Sequence, residues 1–296
     1  MNVSFVILHY MTLEDTKECI ESIEKNIDYD DYSIIIVDNA SPNNTGKVLL
    51  TEYASDNKVT VIINDKNLGF AKGNNIGFKY AKHEKKSDFI IMMNNDTIIE
   101  QFDFCDKIIE LYNKEEFHIL GPDIISTKDG GHQNPIKNNI TLKSDFKKTI
   151  IKHRIQLILN YLFIEKYLTK LKKKILNKDS INEHRDIYRT INNCVLHGSC
   201  LIFSKKYIDR FDGIYKNTFM YGEEEILFYL CNQMNLKWFY LPELKINHKE
   251  ASSTSESISL KQYKKKRFFY INKIKSCKNI LNDLKRCKNI EKLLSD

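Results

Sequence analysis

Four short apolar runs punctuate the first hundred positions, and each stops abruptly at polar residues. Val3–Leu8 (VSFVIL) ends at His9-Tyr10 and Ser33–Val37 (SIIIV) at Asp38-Asn39. Val59–Ile63 ends at Asn64, and Phe89–Met93 (FIIMM) at Asn94-Asn95-Asp96-Thr97. Uninterrupted runs of this length read as strands buried on both faces. Between them, Leu13, Cys19, Ile20 and Ile23 recur at helical spacing behind Thr12 as N-cap. A second helix opens at Thr45 or Gly46 and runs to about Ser55, and a third spans Gly73–Lys82. Strands alternating with helices predict an α/β fold with a mostly parallel sheet and right-handed crossovers.

In such a sheet, ligands bind beyond the carboxyl ends of the strands. Asp96 would be delivered there by a rigid strand, although Asn94–Thr97 also reads as a plain polar turn. No GxGxxG follows the first strand, and no GxxxxGK[ST] loop occurs anywhere. The strand ends carry carboxylates and amides instead, which suit a ribose, a base or an oxygen-ligated cation. Asp38, as a turn former after a strand, needs no function of its own. The stretch Asn67–Gly77 (NLGFAKGNNIG) holds three glycines and three asparagines, which call for close backbone approach or positive φ.

Charge changes the picture more than composition does. The net charge is +7, yet residues 143–178 carry +9 and residues 258–296 another +9, leaving −11 for the rest. An acidic body thus bears two basic segments, a pattern of grafted surface or partner contacts. In the first segment Ile151, Ile155, Ile158 and Leu162 fall at helical spacing among Lys147, Lys148, Lys152, Lys166 and Lys170, before Lys172-Lys173-Lys174. That suits an interfacial helix on anionic lipid, or equally an insertion packed on the body with a solvated Lys face. The second, with Ile271, Ile274, Cys277 and Leu281, could pack back, pair with another subunit as a homodimer, or touch a membrane. The start MNVSFVILHYM lacks a basic region and a cleavage site, and no run approaches the ~18 apolar residues of a spanning helix. Seven cysteines form no CxxC, so reduced thiols and a cytoplasmic, at most membrane-peripheral, location are expected.

The set VSFVILHY, IIIVDNASPNNT, NLGFAKGNNIG and IIMMNNDT, in that order, resembles the inverting family-2 glycosyltransferases of the GT-A fold, with the look of bacterial members that use rhamnosyl or similar donors. In the second half, CVLHGSCLIF (194–203) looks like the strand bearing the family's small-residue motif. FDGIYKNTFMYGEEEIL (211–227) resembles its FDE-FFMYGEDVDL segment, and Asn247-His248 with Ser252-Ser253 its terminal His motif. The resemblance covers about Val3 to Ser253. It implies a GT-A domain over 1–255, with the basic helical insertion at 143–185 and a basic helical tail at 256–296.

The resemblance also implies roles. Tyr10 and Asp38 would lie near the nucleobase of the donor, and Asn67, Gly69, Asn74, Asn95 and Asp96 would line its site. Asp96 and His248 would hold a divalent cation, Mg²⁺ or Mn²⁺, and Glu224 would be the catalytic base. Gly198, Tyr221 and Glu223 would face the acceptor. Two departures stand out: Asn94 replaces the first acid of the usual DxD, and Glu224-Glu225-Ile226 replaces Asp-Val-Asp. QMNLKW, around Gln233 and Trp238, lacks the Arg of the processive QxxRW element, so Trp238 reads as packing and the reaction as a single addition.

The expected activity is transfer of rhamnose or another hexose from a dTDP- or UDP-linked donor to a membrane-borne or lipid-linked glycan, in capsule or cell-surface polysaccharide synthesis. Two rivals remain. A sugar nucleotidyltransferase should show a basic, Gly-rich loop after the first strand, where His9-Tyr10-Met11-Thr12 stands. A basic adaptor would rest on the Lys-rich segments alone; for nucleic acid, no groove-reading motif is present and none is expected to bind.

Overall fold

The computed structural model describes residues 1–136, 142–165, 167, 191–192, 194–250 and 260–295. Ser252-Ser253, Lys166, Lys170 and Lys172-Lys173-Lys174 lie outside them, as does the expected boundary at 255/256. The N-terminal half is β1 (Val3–His9), α1 (Leu13–Asn26), β2 (Tyr32–Asp38), α2 (Thr45–Glu52), β3 (Val59–Ile63), α3 (Phe70–His83), β4 (Phe89–Asn94) and the two-residue β5 (Thr97–Ile98). There follow α4 (Phe104–Glu115), β6 (Ile119–Ser126), α5 (Lys143–Tyr161), β7 (Ile191–Asn192), β8 (Cys200–Ser204), α6 (Lys205–Ile208), α7 (Glu223–Gln233), β9 (Trp238–His248) and the long α8 (Leu260–Arg286).

One sheet, ordered β3-β2-β1-β4-β8-β6-β9-β5 with β7 also on β9, organises the chain. β1 to β4 are mutually parallel. β8 then runs antiparallel to both β4 and β6, and β9 returns parallel to β6. The apolar runs earn their continuity because both faces are covered. On one face Val6, Ile35, Val37, Ile90 and Met92 join Phe78 of α3. On the other Phe5, Ile7, Ile34, Ile36, Ile91 and Met93 join Cys19, Ile20 and Ile23 of α1 and Phe104 and Ile108 of α4.

Two of the three glycines in NLGFAKGNNIG serve this packing rather than a loop. α3 begins at Phe70, three residues before the expected start, so Gly73 and Gly77 are helical. A Cβ at Gly77 would sit 2.4 Å from Val6 Cγ1, and one at Gly73 2.6 Å from Leu8 Cδ1. Alanine at Gly77, against the stiff Val6 and Val37, would strain the α3–sheet contact at a cost of about 1–3 kcal/mol. Only Gly69, at φ 82°, needs a left-handed backbone.

The two basic segments pack on each other. Arg267 donates to Asn160 Oδ1 at 2.7 Å and lies over the Tyr161 ring, while Lys266 and Tyr270 both reach the buried Glu165 at 2.9 and 2.6 Å. Ile274, Cys277, Ile280 and Leu281 of α8 are buried in the main core. Of the arrangements open to the tail, packing back is the one it adopts. Trp238 is packing as expected, buried against Phe228 at 5.4 Å.

Candidate active site

Polar side chains at the ends of β1, β2 and β4 are bonded chiefly to the loops and helices that follow the strands. Buried His9 is held through Nδ1 to Thr16 Oγ1 at 2.7 Å and through Nε2 to Thr45 Oγ1 at 2.8 Å, and burial pushes its pKa down. Asp38, 3% exposed, closes a turn on Ser41, whose hydroxyl donates to Oδ1 at 2.5 Å. Asn39 organises the following loop. Its Nδ2 donates to Asn67 Oδ1 and Gly69 O at 3.1 Å each, and its Oδ1 accepts from Leu68 N at 2.9 Å. Asn67 and Gly69 are therefore brought together by a residue that the expected site omitted. The amide of Asn74 is buried and donates to Phe70 O at 3.1 Å, within α3. Tyr10 stands 41% exposed at the rim, beside Met11, whose backbone is clasped by Ser41 and Asn43.

The segment after β4 is the polar turn that one reading of Asn94–Thr97 expects. It feeds β5, which pairs antiparallel with the end of β9 so that Thr97 faces His248. Asp96 Oδ1 consequently lies 3.2 Å from His248 Nε2, and Asp96 O accepts from Lys249 N at 2.9 Å. The other imidazole nitrogen of His248 is 2.8 Å from Gln133 Oε1, and Gln133 in turn donates to Glu250. Asn95 turns the other way: its amide donates to Thr12 Oγ1 and Thr16 Oγ1 at 2.7 and 2.8 Å. Thr12, expected as the N-cap of α1, makes no side-chain cap and accepts from Asn95 instead.

His197 lies against this pair, its ring 5.8 Å from that of His248. Burial first, and His248 second, push its pKa down to about 4, so the ring is neutral near pH 7. The segment around it was expected to be strand from Cys194, but the strand begins only at Cys200. Residues 194–199 form a turn-bearing loop, fixed by Asn134 Oδ1 on His197 N at 2.6 Å. The next residue, Gly198, is where the loop meets the acidic helix. A Cβ there would sit 2.6 Å from Glu224 Oε1, so only glycine allows the carboxylate this close.

Glu223, Glu224 and Glu225 form the first turn of α7, where the macrodipole favours negative charge. The turn is entered through two left-handed residues, Tyr221 at φ 70° and Gly222 at φ 104°. The Tyr221 ring rests on Phe269 of α8 at 4.8 Å. Burial, then Glu224, push the Glu223 carboxyl up to about 7. Burial, then Glu225, raise Glu224, opposed by the ammonium of Lys273 and the Gly198 amide. Lys273, from α8, is 7% exposed and ion-pairs with Glu225. Glu223 Oε1 and Glu225 Oε2 are buried with no hydrogen-bond partner among the described residues.

The structure thus joins Asp96 to His248, and Glu224 to Gly198, on either side of residues 197–198. Asn39, His197, Gln133 and Lys273 were missed. The first two stand inside quoted motifs, whereas Gln133 lies outside them and Lys273 belongs to the basic tail, whose pattern gives no sign of a place in the site. Among the described residues no group of three His, Cys, Asp or Glu is placed to hold a metal. Asp96 and His248 still form a two-ligand set, which suits a cation that draws its remaining ligands from water and phosphate oxygens.

Comparison with known proteins identifies the family and the fold. The model of the family "Glycosyl transferase family 2" matches residues 4–211, ending before α7. Glycosyltransferase GlyG of Streptococcus pneumoniae is 31% identical over 99 residues, 33% of this chain and 31% of that protein. The low-salt glycan biosynthesis hexosyltransferase Agl10 of Haloferax volcanii is 21% identical over 235 residues, 79% of this chain and 63% of that one. The chain spans less than two thirds of either relative. S. aureus TarS 1-349, crystallised with UDP-GlcNAc, superposes with a TM-score of 0.53 at 13% identity, over 90% of this chain and 64% of that one. That likeness is one of fold, the GT-A fold.

Proposed function

Because the chain belongs to glycosyl transferase family 2, we propose that it is an inverting glycosyltransferase. It moves a single sugar, rhamnose or another hexose, from a dTDP- or UDP-linked donor to a membrane-borne or lipid-linked glycan in cell-surface polysaccharide synthesis. The observation that carries the reading is the placement of Asp96–His248 and Glu224 on either side of the 197–198 turn. Transfer needs stabilisation of the leaving diphosphate and removal of a proton from the attacking hydroxyl, and this arrangement separates the two tasks.

Tyr10, Asp38, Asn67, Gly69, Asn74 and Asn95 form the donor side, along the ends of β1 to β4. Asp96 and His248 would hold Mg²⁺ or Mn²⁺, which as a Lewis acid neutralises charge on the diphosphate. Glu224 accepts the proton of the acceptor hydroxyl, and its raised pKa makes its ionised form a stronger base than an exposed carboxylate. Gly198, Tyr221 and Glu223 shape the acceptor side. The TarS complexes with UDP and UDP-GlcNAc put UDP-linked sugars first among the donors to try.

Donor turnover in Glu224→Gln and Asp96→Ala is the test. Glu224→Gln should lower turnover by about 10²–10⁴-fold while donor binding persists. Wild-type turnover in that variant would remove Glu224 from the role. Thermal shift against dTDP- and UDP-sugars, with and without Mg²⁺ or Mn²⁺, identifies the donor. A chain that no sugar nucleotide stabilises would overturn the reading.

A further inference from the structure

The apolar stripe of α5 points away from the body. Ile151, Ile155 and Ile158 are 58%, 53% and 59% exposed, and Leu162 just beyond the helix is 60% exposed. The opposite side of the helix does the packing, through Phe146, Ile150, His153 and Asn160. A helix docked only on its own domain would turn its isoleucines inward; here they form an outward ridge roughly 16 Å long.

Cations border the ridge on both flanks. At 3.6 residues per turn, Lys147 and Arg154 fall on one side of it, Lys148 and Lys152 on the other, and all four are exposed. The single acid of α5, Asp145, is engaged by Lys148 at 3.1 Å and by the backbone of Leu142. A second copy docked face to face would set these cations against their own counterparts. An anionic bilayer meets both the apolar ridge and the positive rim.

We propose that the outer face of α5 seats on anionic lipid headgroups, with Ile151, Ile155, Ile158 and Leu162 in the headgroup–acyl boundary. The placement bears on the proposed transfer, on whose reading this consequence rests. His153 on the inner side of α5 packs on Phe269 at 5.4 Å, and Phe269 packs on Tyr221 at the entry to α7. One aromatic layer therefore separates the bilayer-facing helix from the acidic turn, so a lipid-linked acceptor held in the membrane is presented close to Glu224. The second basic segment is tied to the body: Ile274, Cys277, Ile280 and Leu281 of α8 lie in the core, and deleting it would unfold the site rather than release a membrane anchor.

The full chain is mixed with phosphatidylcholine vesicles, with or without phosphatidylglycerol, and sedimented. Wild type should sediment with the anionic vesicles only. Ile151→Ser/Ile155→Ser/Ile158→Ser, and separately Lys147→Gln/Lys152→Gln/Arg154→Gln, should each lose about tenfold or more of that binding. Sugar-nucleotide thermal shifts should be unchanged in both variants, which also shows that they fold. Absence of wild-type sedimentation, or undiminished sedimentation of the serine variant, would overturn the proposal. A dimer seen by light scattering, broken by the serine variant and without lipid binding, would replace it with self-association. Loss of donor binding in wild type would count against the transferase reading alone and leave the lipid result to stand by itself.

Discussion

The two sides of the site are built on different physics. On the side made by β1 to β4, polar atoms are matched mostly by neutral partners: Asn39 to Asn67, Gly69 and Leu68, Asn95 to Thr12 and Thr16, His9 to Thr16 and Thr45. On the side made by residues 197–225 and α8, charged groups crowd with incomplete pairing. Three successive glutamates share one buried ammonium, two carboxylate oxygens lack partners among the described residues, and His197 is held neutral. Neutral networks give a fixed mould at little electrostatic cost. Crowded buried charge keeps proton affinities away from their ordinary values, which is what acid–base chemistry needs.

That contrast breaks most visibly at Lys273. In Lys273→Met, Glu225 loses its buried partner and Glu224 loses the cation that opposes its raised pKa. Denaturant unfolding should show a loss of about 3 kcal/mol, as for a buried pair stripped of one member. The acid limb of the activity profile should also move to higher pH. A variant as stable as wild type, with an unmoved profile, would make Lys273 a bystander.

The neutral side should respond less, and without pH dependence. Asn39→Ala leaves Leu68 N and Asn67 without their partner and should cost about 2 kcal/mol, the same at pH ~6 and ~8, with weaker donor binding. A pH-dependent loss would mean that this side is not the neutral mould described.

The smallest effect sharpens the comparison by its sign. Glu223, pushed up to about 7 from 4.5, holds in the folded chain a proton that the unfolded chain has released. Folding stability should therefore fall as pH rises through that window. His197, pushed down to about 4 from 6.5, acts oppositely: the unfolded chain binds the extra proton, so stability is lost as pH falls from 6.5. Glu223→Gln should remove the first slope and keep the second, a change of roughly 1–2 kcal/mol between pH ~5 and ~7. Parallel stability curves for wild type and variant would exclude a titrating Glu223.

The neutral side was also the legible one. Strands buried on both faces announce themselves as apolar runs, so β1 to β4 stand within a residue or two of their expected bounds. Where helix and strand signals fail, the reasons are local and physical. α3 starts early because Gly69 takes a left-handed turn, and Cys194, Val195 and Leu196 are apolar because they pack as a loop beside β9, with Trp238 donating to Cys194 O. The charged side was legible only in part. Glu224 and His248 sit in ordered motifs, but Lys273 reaches Glu225 across 48 residues from a segment whose charge pattern resembles a solvent-facing tail. Periodicity found the α5 stripe too, but it cannot tell which way a helix is turned.

The short β5–β9 ladder has a consequence for how such a site can change over time. Strand pairing sets Thr97 opposite His248, and the bond from Lys249 N to Asp96 O sets Asp96 beside Lys249, so the backbone holds Asp96 and His248 one residue out of register, independently of the side chains they carry. Substitution at either position exchanges the chemistry and leaves the socket in place. The chemistry carried at these two positions can therefore drift along a lineage without first unmaking the fold.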